Sequence, residues 1–378
     1  MFFVMILTAW CALHAYVGWR AASVPAVSRR LPRKWLLAGV AVLALSLPLG
    51  RVLGSVVGEG LAAPVELLSM HWLGTLFLIS SCLLIVDVVT GFGWWLRRWL
   101  SELRAAALVV GALLAAIATV QGVRPPVVRD HEVTLANLPA ALDGTVLVAI
   151  SDLHVGALLG PDWLATRVDQ VLAQKPDLVV ALGDLVEGHG MSDDGAVVAQ
   201  LQRLTAATDV WAVVGNHERH GGESGGARLL ERAGFQLLRN QWQQVRPGLV
   251  LAGIEDTDRH RDGNAAAARA DVRDRIDSAL AGRSIDAATI FLEHRPGQLA
   301  QLAAANVGLT LAGHTHGGQL WPFGYLVGLT VPVLGGRVDV DNMPLIVCRG
   351  TGTWGPRMRL WRPGELLRIT LRAGPVKT

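Results

Sequence analysis

Cysteine is scarce. There are three in 378 residues, and no Cys-x-x-Cys pair among them. Cys11 and Cys82 lie inside apolar runs and Cys348 in a strand-like one. That spacing supports no disulfide framework, and the three read as small buried hydrophobes. The first apolar run lacks a basic n-region, which favours a retained membrane helix over a cleaved signal peptide. A net positive charge is missing after residue 104. Residues 1–104 hold nine Lys/Arg against four Asp/Glu, and the rest holds 25 against 27. The basic overall balance is therefore weak evidence for nucleic-acid binding, which would need a basic face on the C-terminal part, and no nucleic acid is expected as a partner. Internal repeats and low-complexity linkers are lacking too.

Apolar residues, by contrast, are abundant: they make up 51% of the chain, and mean hydropathy is +0.39. Most of the excess precedes Arg124. Four runs stand out: Phe2–Val17, Trp35–Leu49, Leu67–Val89 and Ala105–Val123. They predict four transmembrane helices in a membrane domain covering residues 1–124. Trp10, Trp19, Trp35, Trp72, Trp94, Trp95 and Trp99 lie near the ends of these runs, where interfacial belts and packing between helices are the two uses of the ring. His71 and Asp87 are ionisable groups within the third run, placed towards its ends, and read as interfacial or helix-pairing residues. The first loop carries Arg20, Arg29, Arg30, Arg33 and Lys34, and the third carries Arg97, Arg98 and Arg104. The positive-inside rule puts both loops in the cytoplasm and both chain ends outside. The expected location is the cytoplasmic (inner) membrane, multi-pass, with the C-terminal domain extracytoplasmic.

From Pro125 the pattern changes to alternating strands and helices. Strands are expected at Val127–Leu135, Thr145–Ile150, Asp177–Leu182, Asp209–Val214, Leu249–Ile254, Ala288–Leu292, Gly308–Ala312, Thr330–Leu334, Pro344–Cys348 and Leu366–Leu371. Helices are expected near 161–174, 195–206, 224–233, 264–281 and 296–304. This alternation implies a layered α/β sandwich over residues 125–378.

Metal-ligating residues arrive in short packets: Asp152-Leu-His154, Gly183-Asp184, Gly215-Asn216-His217-Glu218, Glu293-His294 and Gly313-His314-Thr-His316. Four of the five directly follow a strand-like run. Ligands in open α/β sheets bind beyond the carboxyl ends of strands. Residues two apart in an extended stretch point the same way, so Asp152 with His154, and His314 with His316, can converge on one centre. The mixed N/O set suits Mn, Fe or Zn. Two such ions clamp attacking and leaving oxygens of an in-line displacement, and water between them loses a proton readily. His217, in the third packet, carries an imidazole whose pKa near neutrality suits proton transfer. Among neighbouring residues, Glu218 could hold a histidine or cap the turn. Glu255-Asp256 could line the cleft or form a solvated turn. Arg295 could contact phosphate or sit in a salt bridge. His189 and His220 could be rim residues.

The order Asp-x-His, Gly-Asp, Gly-Asn-His-Glu, His and Gly-His-x-His resembles the calcineurin-like metallophosphoesterase superfamily, over roughly residues 130–371. The wording around Ser151–His154 and Gly313–Gln319 is similar to a bacterial, membrane-attached, phosphodiesterase-like branch. The resemblance implies a four-layer αββα sandwich, here preceded by about four transmembrane helices. It implies two divalent transition-metal ions. Asp152, His154 and His316 would hold the first, Asn216, His294 and His314 the second, and Asp184 both, while His217 would face the phosphate. The implied activity is hydrolysis of a phosphomonoester, phosphodiester or pyrophosphate by a metal-bridging hydroxide. The membrane part points to a lipid or lipid-linked substrate. The rivals are a cytoplasm-facing pyrophosphohydrolase of a nucleotide-linked lipid precursor and a non-catalytic metal-binding membrane scaffold.

Overall fold

A computed structural model describes residues 2–57, 59–187, 194–219, 225–256 and 265–375, with the side chains of 2–6, 51–57, 59–62 and 265 left aside. His189 and His220 lie outside the described residues. Two compact units result. The first is Met1–Arg124 together with two short later stretches, Leu320–Pro322 and Gly355–Trp361. The second is the remainder.

The first unit is built on α1 (Phe2–Ala22), α2 (Pro25–Ser28), α3 (Arg33–Val57), α4 (Glu59–Val89) and α5 (Leu100–Val123). Among the described residues, Arg33–Gly50, Ala63–Val89 and Arg97–Val123 are long and apolar enough to cross a membrane. The expected first span forms α1, whose opening side chains fall outside the description. The tryptophans divide. Trp19, Trp35, Trp94, Trp95 and Trp99 are exposed, as interfacial rings would be. Trp10 and Trp72 pack between helices instead: the Trp10 indole donates to the Ala44 carbonyl at 2.8 Å, and Trp72 donates to His14 Nε2 at 2.8 Å. Asp87 is a helix-pairing residue. It is fully buried, 2.7 Å from Arg20 Nε and 3.2 Å from Arg104, and it accepts the Tyr16 hydroxyl at 2.6 Å. That cluster ties the ends of α1, α4 and α5 together.

In the second unit, the strands are β1 (Val127–Leu135), β2 (Val146–Ile150), β3 (Leu178–Ala181), β4 (Val210–Ala212), β5 (Gln236–Leu237), β6 (Gln241–Arg246), β7 (Leu249–Gly253), β8 (Ala288–Leu292), β9 (Leu309–Ala312), β10 (Gly336–Val340), β11 (Met343–Val347) and β12 (Glu365–Ala373). The helices are α6 (Pro161–Leu172), α7 (Asp194–Thr205), α8 (Gly225–Arg232), α9 (Ala265–Leu280), α10 (Leu299–Ala304) and α11 (Phe323–Val327). Two six-stranded sheets form, ordered β1-β12-β2-β3-β4-β5 and β10-β11-β9-β8-β7-β6. Their central strands are uninterrupted apolar runs such as VLVAI and ATIFL, nearly all of it buried, as strands covered on both faces must be. Alternate residues split between two cores. Leu147, Ala149, Leu178 and Val180 meet Leu251, Ile290 and Leu311 from the other sheet. Val148, Ile150, Val179 and Ala181 face Leu164, Val168, Leu201 and Leu230 of α6–α8. On the far side, Ala252 and Phe291 pack on Ile276, Ala279 and Leu302 of α9 and α10. The result is the four-layer αββα sandwich.

Some local expectations fail. Thr330–Leu334 is not a strand. The Thr330 and Val331 amides donate to Val327 O at 2.9 and 3.2 Å, which closes a turn after α11, and Pro332 has no amide to offer a ladder. The strands β5, β6 and β10 were not anticipated. β6 reads QWQQVR and β10 GRVDV, and both are sheet-edge strands with polar faces.

Candidate metal centre

Each packet leaves a central strand and turns sharply. The loop after β2 continues to pair with the loop after β3: Asp152 N–H donates to Gly183 O and His154 N–H to Asp184 O, both at 3.0 Å, and Val155 bridges Val186. The convergence of ligands does not come from extended alternation. Asp152 (φ 54°), His154 (φ 49°), Asp184 (φ 54°), His314 (φ 70°) and His316 (φ 49°) all occupy left-handed backbone. Such conformations are uncommon outside glycine and concentrate at functional sites. The glycines of the packets are there for room. A Cβ on Gly183 would lie 2.7 Å from His294 Nδ1, one on Gly215 would strike Asp184 Oδ1, and one on Gly313 would strike Ser151 Oγ.

The side chains gather into groups that could each hold a cation: Asp152, His154 and His316; Asp184, His294 and His314; and His154, Asp184 and His217. Within each group the ligand atoms lie within 4.8 Å of one another. His154 Nε2 is 3.1 Å from His316 Nε2, and His294 Nε2 is 3.1 Å from Asp184 Oδ2 and 3.2 Å from His314 Nδ1. Asn216 is buried, and its Oδ1 accepts from Arg295 at 3.1 Å. The set fits divalent cations on two counts. Asp152 Oδ1 is buried with no hydrogen-bond partner among the described residues. His154 and His294 also spend Nδ1 elsewhere, on Glu187 at 2.8 Å and on the Leu182 carbonyl at 2.7 Å. That fixes the tautomer that leaves Nε2 for a metal.

Neighbouring groups hold this arrangement. Glu218 is a turn cap rather than a partner for histidine. Its carboxylate accepts the amides of Asp184, Leu185, Val186 and Gly215, locking two packets together. Burial, with the Asp184 charge next, raises its pKa to about 7. Asp152 Oδ2 accepts the Ser151 hydroxyl at 2.5 Å and the His314 amide at 3.0 Å. Asp184 Oδ1 accepts the His217 amide at 2.8 Å. Burial works against the Asp184 anion, yet the His294 charge holds its pKa well below the carboxylate range. Arg295 sits in a salt bridge, 2.6 Å from Asp256, besides its bond to Asn216. Glu255 lies 3.6 Å from Arg219.

Two residues here have no counterpart in the sequence reading. Glu187 accepts from Nδ1 of both His154 (2.8 Å) and His217 (2.7 Å). Burial opposes charge on His217, but the hydrogen bond to Glu187, with Asp184 close by, outweighs it and lifts its pKa to about 9. The signal was a carboxylate three residues beyond Asp184, in a loop that pairs with the loop bearing His154. Trp354 sets its ring edge-on to His217, 6.3 Å between centroids. Gln319 holds it by exchanging hydrogen bonds with its backbone N–H and C=O, each 3.0 Å.

The calcineurin-like phosphoesterase family model matches residues 145–318, which hold every one of these packets. A Danio rerio protein named transmembrane protein with metallophosphoesterase domain is 30% identical over 331 residues, covering 82% of this chain and 74% of its own. The chain belongs to the calcineurin-like metallophosphoesterase family. It is a phosphoesterase by that membership, and its Danio rerio relative matches well beyond the catalytic packets. An Aquifex aeolicus protein, an uncharacterized metallophosphoesterase, is 32% identical over 65% of this chain and 91% of its own.

Proposed function

We propose that this metallophosphoesterase is a membrane-anchored, two-metal hydrolase of a lipid or lipid-linked phosphoester, working on the outer face of the cytoplasmic membrane. The observation that carries the reading is the pair of ligand groups at the strand ends with Asp184 beside both. Asp152, His154 and His316 would hold one ion, and Asn216, His294 and His314 the other, with Asp184 shared. Asn216 would exchange its bond from Arg295 for the metal. When bound, two such ions activate water and neutralise charge on the phosphoryl group. The remaining work falls to the chain. Glu187 orients His217 and favours its protonated form. With Nδ1 committed to Glu187, His217 gives the leaving oxygen the proton on Nε2. Trp354 limits how far that ring can swing, and Glu218 keeps Asp184 and Asn216 in register.

The N/O ligand set favours Mn, Fe or Zn. The anchor and the apolar spans support a membrane-resident substrate. The test is hydrolysis of bis(p-nitrophenyl) phosphate by the full chain in detergent, with Mn added, beside Asp184→Asn. Metal-dependent turnover that disappears in the variant is expected. A folded, metal-loaded wild-type protein with no turnover on this diester, p-nitrophenyl phosphate or lipid phosphoesters would overturn the enzymatic reading in favour of a scaffold.

A further inference from the structure

The catalytic half of the sequence carries a long stretch without charge. From Gly317 to Gly336 there is no Asp, Glu, Lys or Arg. The stretch begins at the second histidine packet and contains Leu320–Pro322, which belongs to the first unit. Within that unit Leu320 and Trp321 join Met358 and Leu360 in one cluster with Phe77, Leu78, Leu114, Ala115 and Ala118. The contacts are close: a Cβ on Gly74 would come 2.6 Å from Met358 Sδ, and one on Gly122 would come 2.5 Å from Met358 Cα. Arg359 N–H donates to Ala118 O at 2.9 Å, and Trp361 N–H to Gln121 Oε1 at 2.8 Å.

Depth follows from helix geometry. Ala115 lies eight residues before the end of α5, about 12 Å along its axis at 1.5 Å per residue. If α4 and α5 span, these two irregular stretches pass below the bilayer surface. Irregular backbone at that depth is tolerated only when buried in protein. Leu320, Met358, Arg359 and Leu360 are indeed buried.

What directly follows Pro322 is the opposite. Phe323, Tyr325, Leu326 and Leu329 are exposed, Leu329 by 82%. Trp361, the last residue of the other stretch, is also exposed and sits 5.2 Å from the Trp321 ring. An uncharged segment with exposed aromatics, continuous in the chain with residues packed between spans, has the composition of a membrane-interface element.

We propose that Phe323–Leu329, with Trp361, inserts into the outer-leaflet surface of the bilayer that holds the helices. The occupant of this apolar face is lipid. The segment starts seven residues after His316 in the sequence. The inference rests on the membrane reading above, but it does not depend on turnover.

The test is nitroxide accessibility on the full chain in nanodiscs of phosphatidylcholine and phosphatidylglycerol, with Cys11→Ser as background. Labels go at Leu326→Cys and Leu329→Cys. Val109→Cys on α5 is the lipid reference and Ile285→Cys the water reference, both exposed positions. Leu326 and Leu329 are expected to match Val109, with high access to oxygen and low access to a water-soluble nickel chelate. Access like that of Ile285 would overturn the proposal, and so would low access to both reagents, which means cover by protein. Turnover of bis(p-nitrophenyl) phosphate by the same samples reports separately on the enzyme. Its absence would count against the phosphoesterase reading and leave the accessibility result standing.

Discussion

The Glu187 carboxylate receives Nδ1 of both His154 and His217, so one side chain sets the tautomer of a candidate ligand and the proton state of a candidate acid. Burial works against the Glu187 anion, and the two imidazole hydrogen bonds hold its pKa low all the same. Glu187→Gln keeps the size and removes the charge. Partners of metal-bound histidines are typically worth roughly 10–100-fold in affinity or activity. The expected outcome is a loss of that order in Mn binding, followed by calorimetry, with activity falling further because His217 is affected too. Unchanged binding and activity would show that Glu187 is only a surface acceptor. The ligand types were legible from the sequence because they arrive in short packets at or just beyond strand ends, three of them directly behind a glycine. Their convergence was not. It depends on left-handed backbone at five of them, which spacing alone does not reveal.

At the scale of elements, Asp87 decides how three helices meet. It sits on α4 between Arg20 of α1 and Arg104 of α5, with the Tyr16 hydroxyl as a further donor. Removing the acid would leave two buried guanidinium groups without their counter-ion. Breaking a buried pair from one side costs about 3–5 kcal/mol. Asp87→Ala is therefore expected to lower thermal stability of the detergent-solubilised protein sharply, whereas Asp130→Ala, whose acid meets Arg368 at an exposed position, should change little. Equal effects from the two would remove Asp87 from its structural role. Core elements such as β2, β3, β8 and β9 were readable because burial on both faces demands continuous apolar runs. The edge strands β6 and β10 were not, since one solvated face makes QWQQVR and GRVDV look like loop. Thr330–Leu334 erred the other way, apolar enough for a strand yet shaped by Pro332 and by the turn after α11.

For the molecule as a whole, the charge placed on the helix bundle gives a prediction of its orientation in a membrane. The cluster around Asp87 brings together the end of α1, the end of α4 and the start of α5. The linkers leaving those points, with the first turn of α3, carry Arg29, Arg30, Arg33, Lys34, Arg97 and Arg98, all exposed. Arg20 and Arg104 are spent on Asp87 and add little to the surface field. Among the described residues, the opposite end of the bundle, where α4 begins and α5 hands over to Pro125, offers Arg124 and Glu66. Six exposed positive charges at one end outweigh that balance, and under the positive-inside rule the expected outcome is that this end stays in the cytoplasm. A C-terminal alkaline phosphatase fusion should then be active, and a C-terminal green fluorescent fusion dark, in a bacterial host. Replacing Arg29, Arg30, Arg33 and Lys34 by Gln should shift part of the population to the reverse state, since charge in short loops near the span ends sets topology. A fluorescent, phosphatase-negative wild type would instead place the phosphoesterase domain beside cytoplasmic substrates, and the nucleotide-linked lipid precursor would become the substrate class to test.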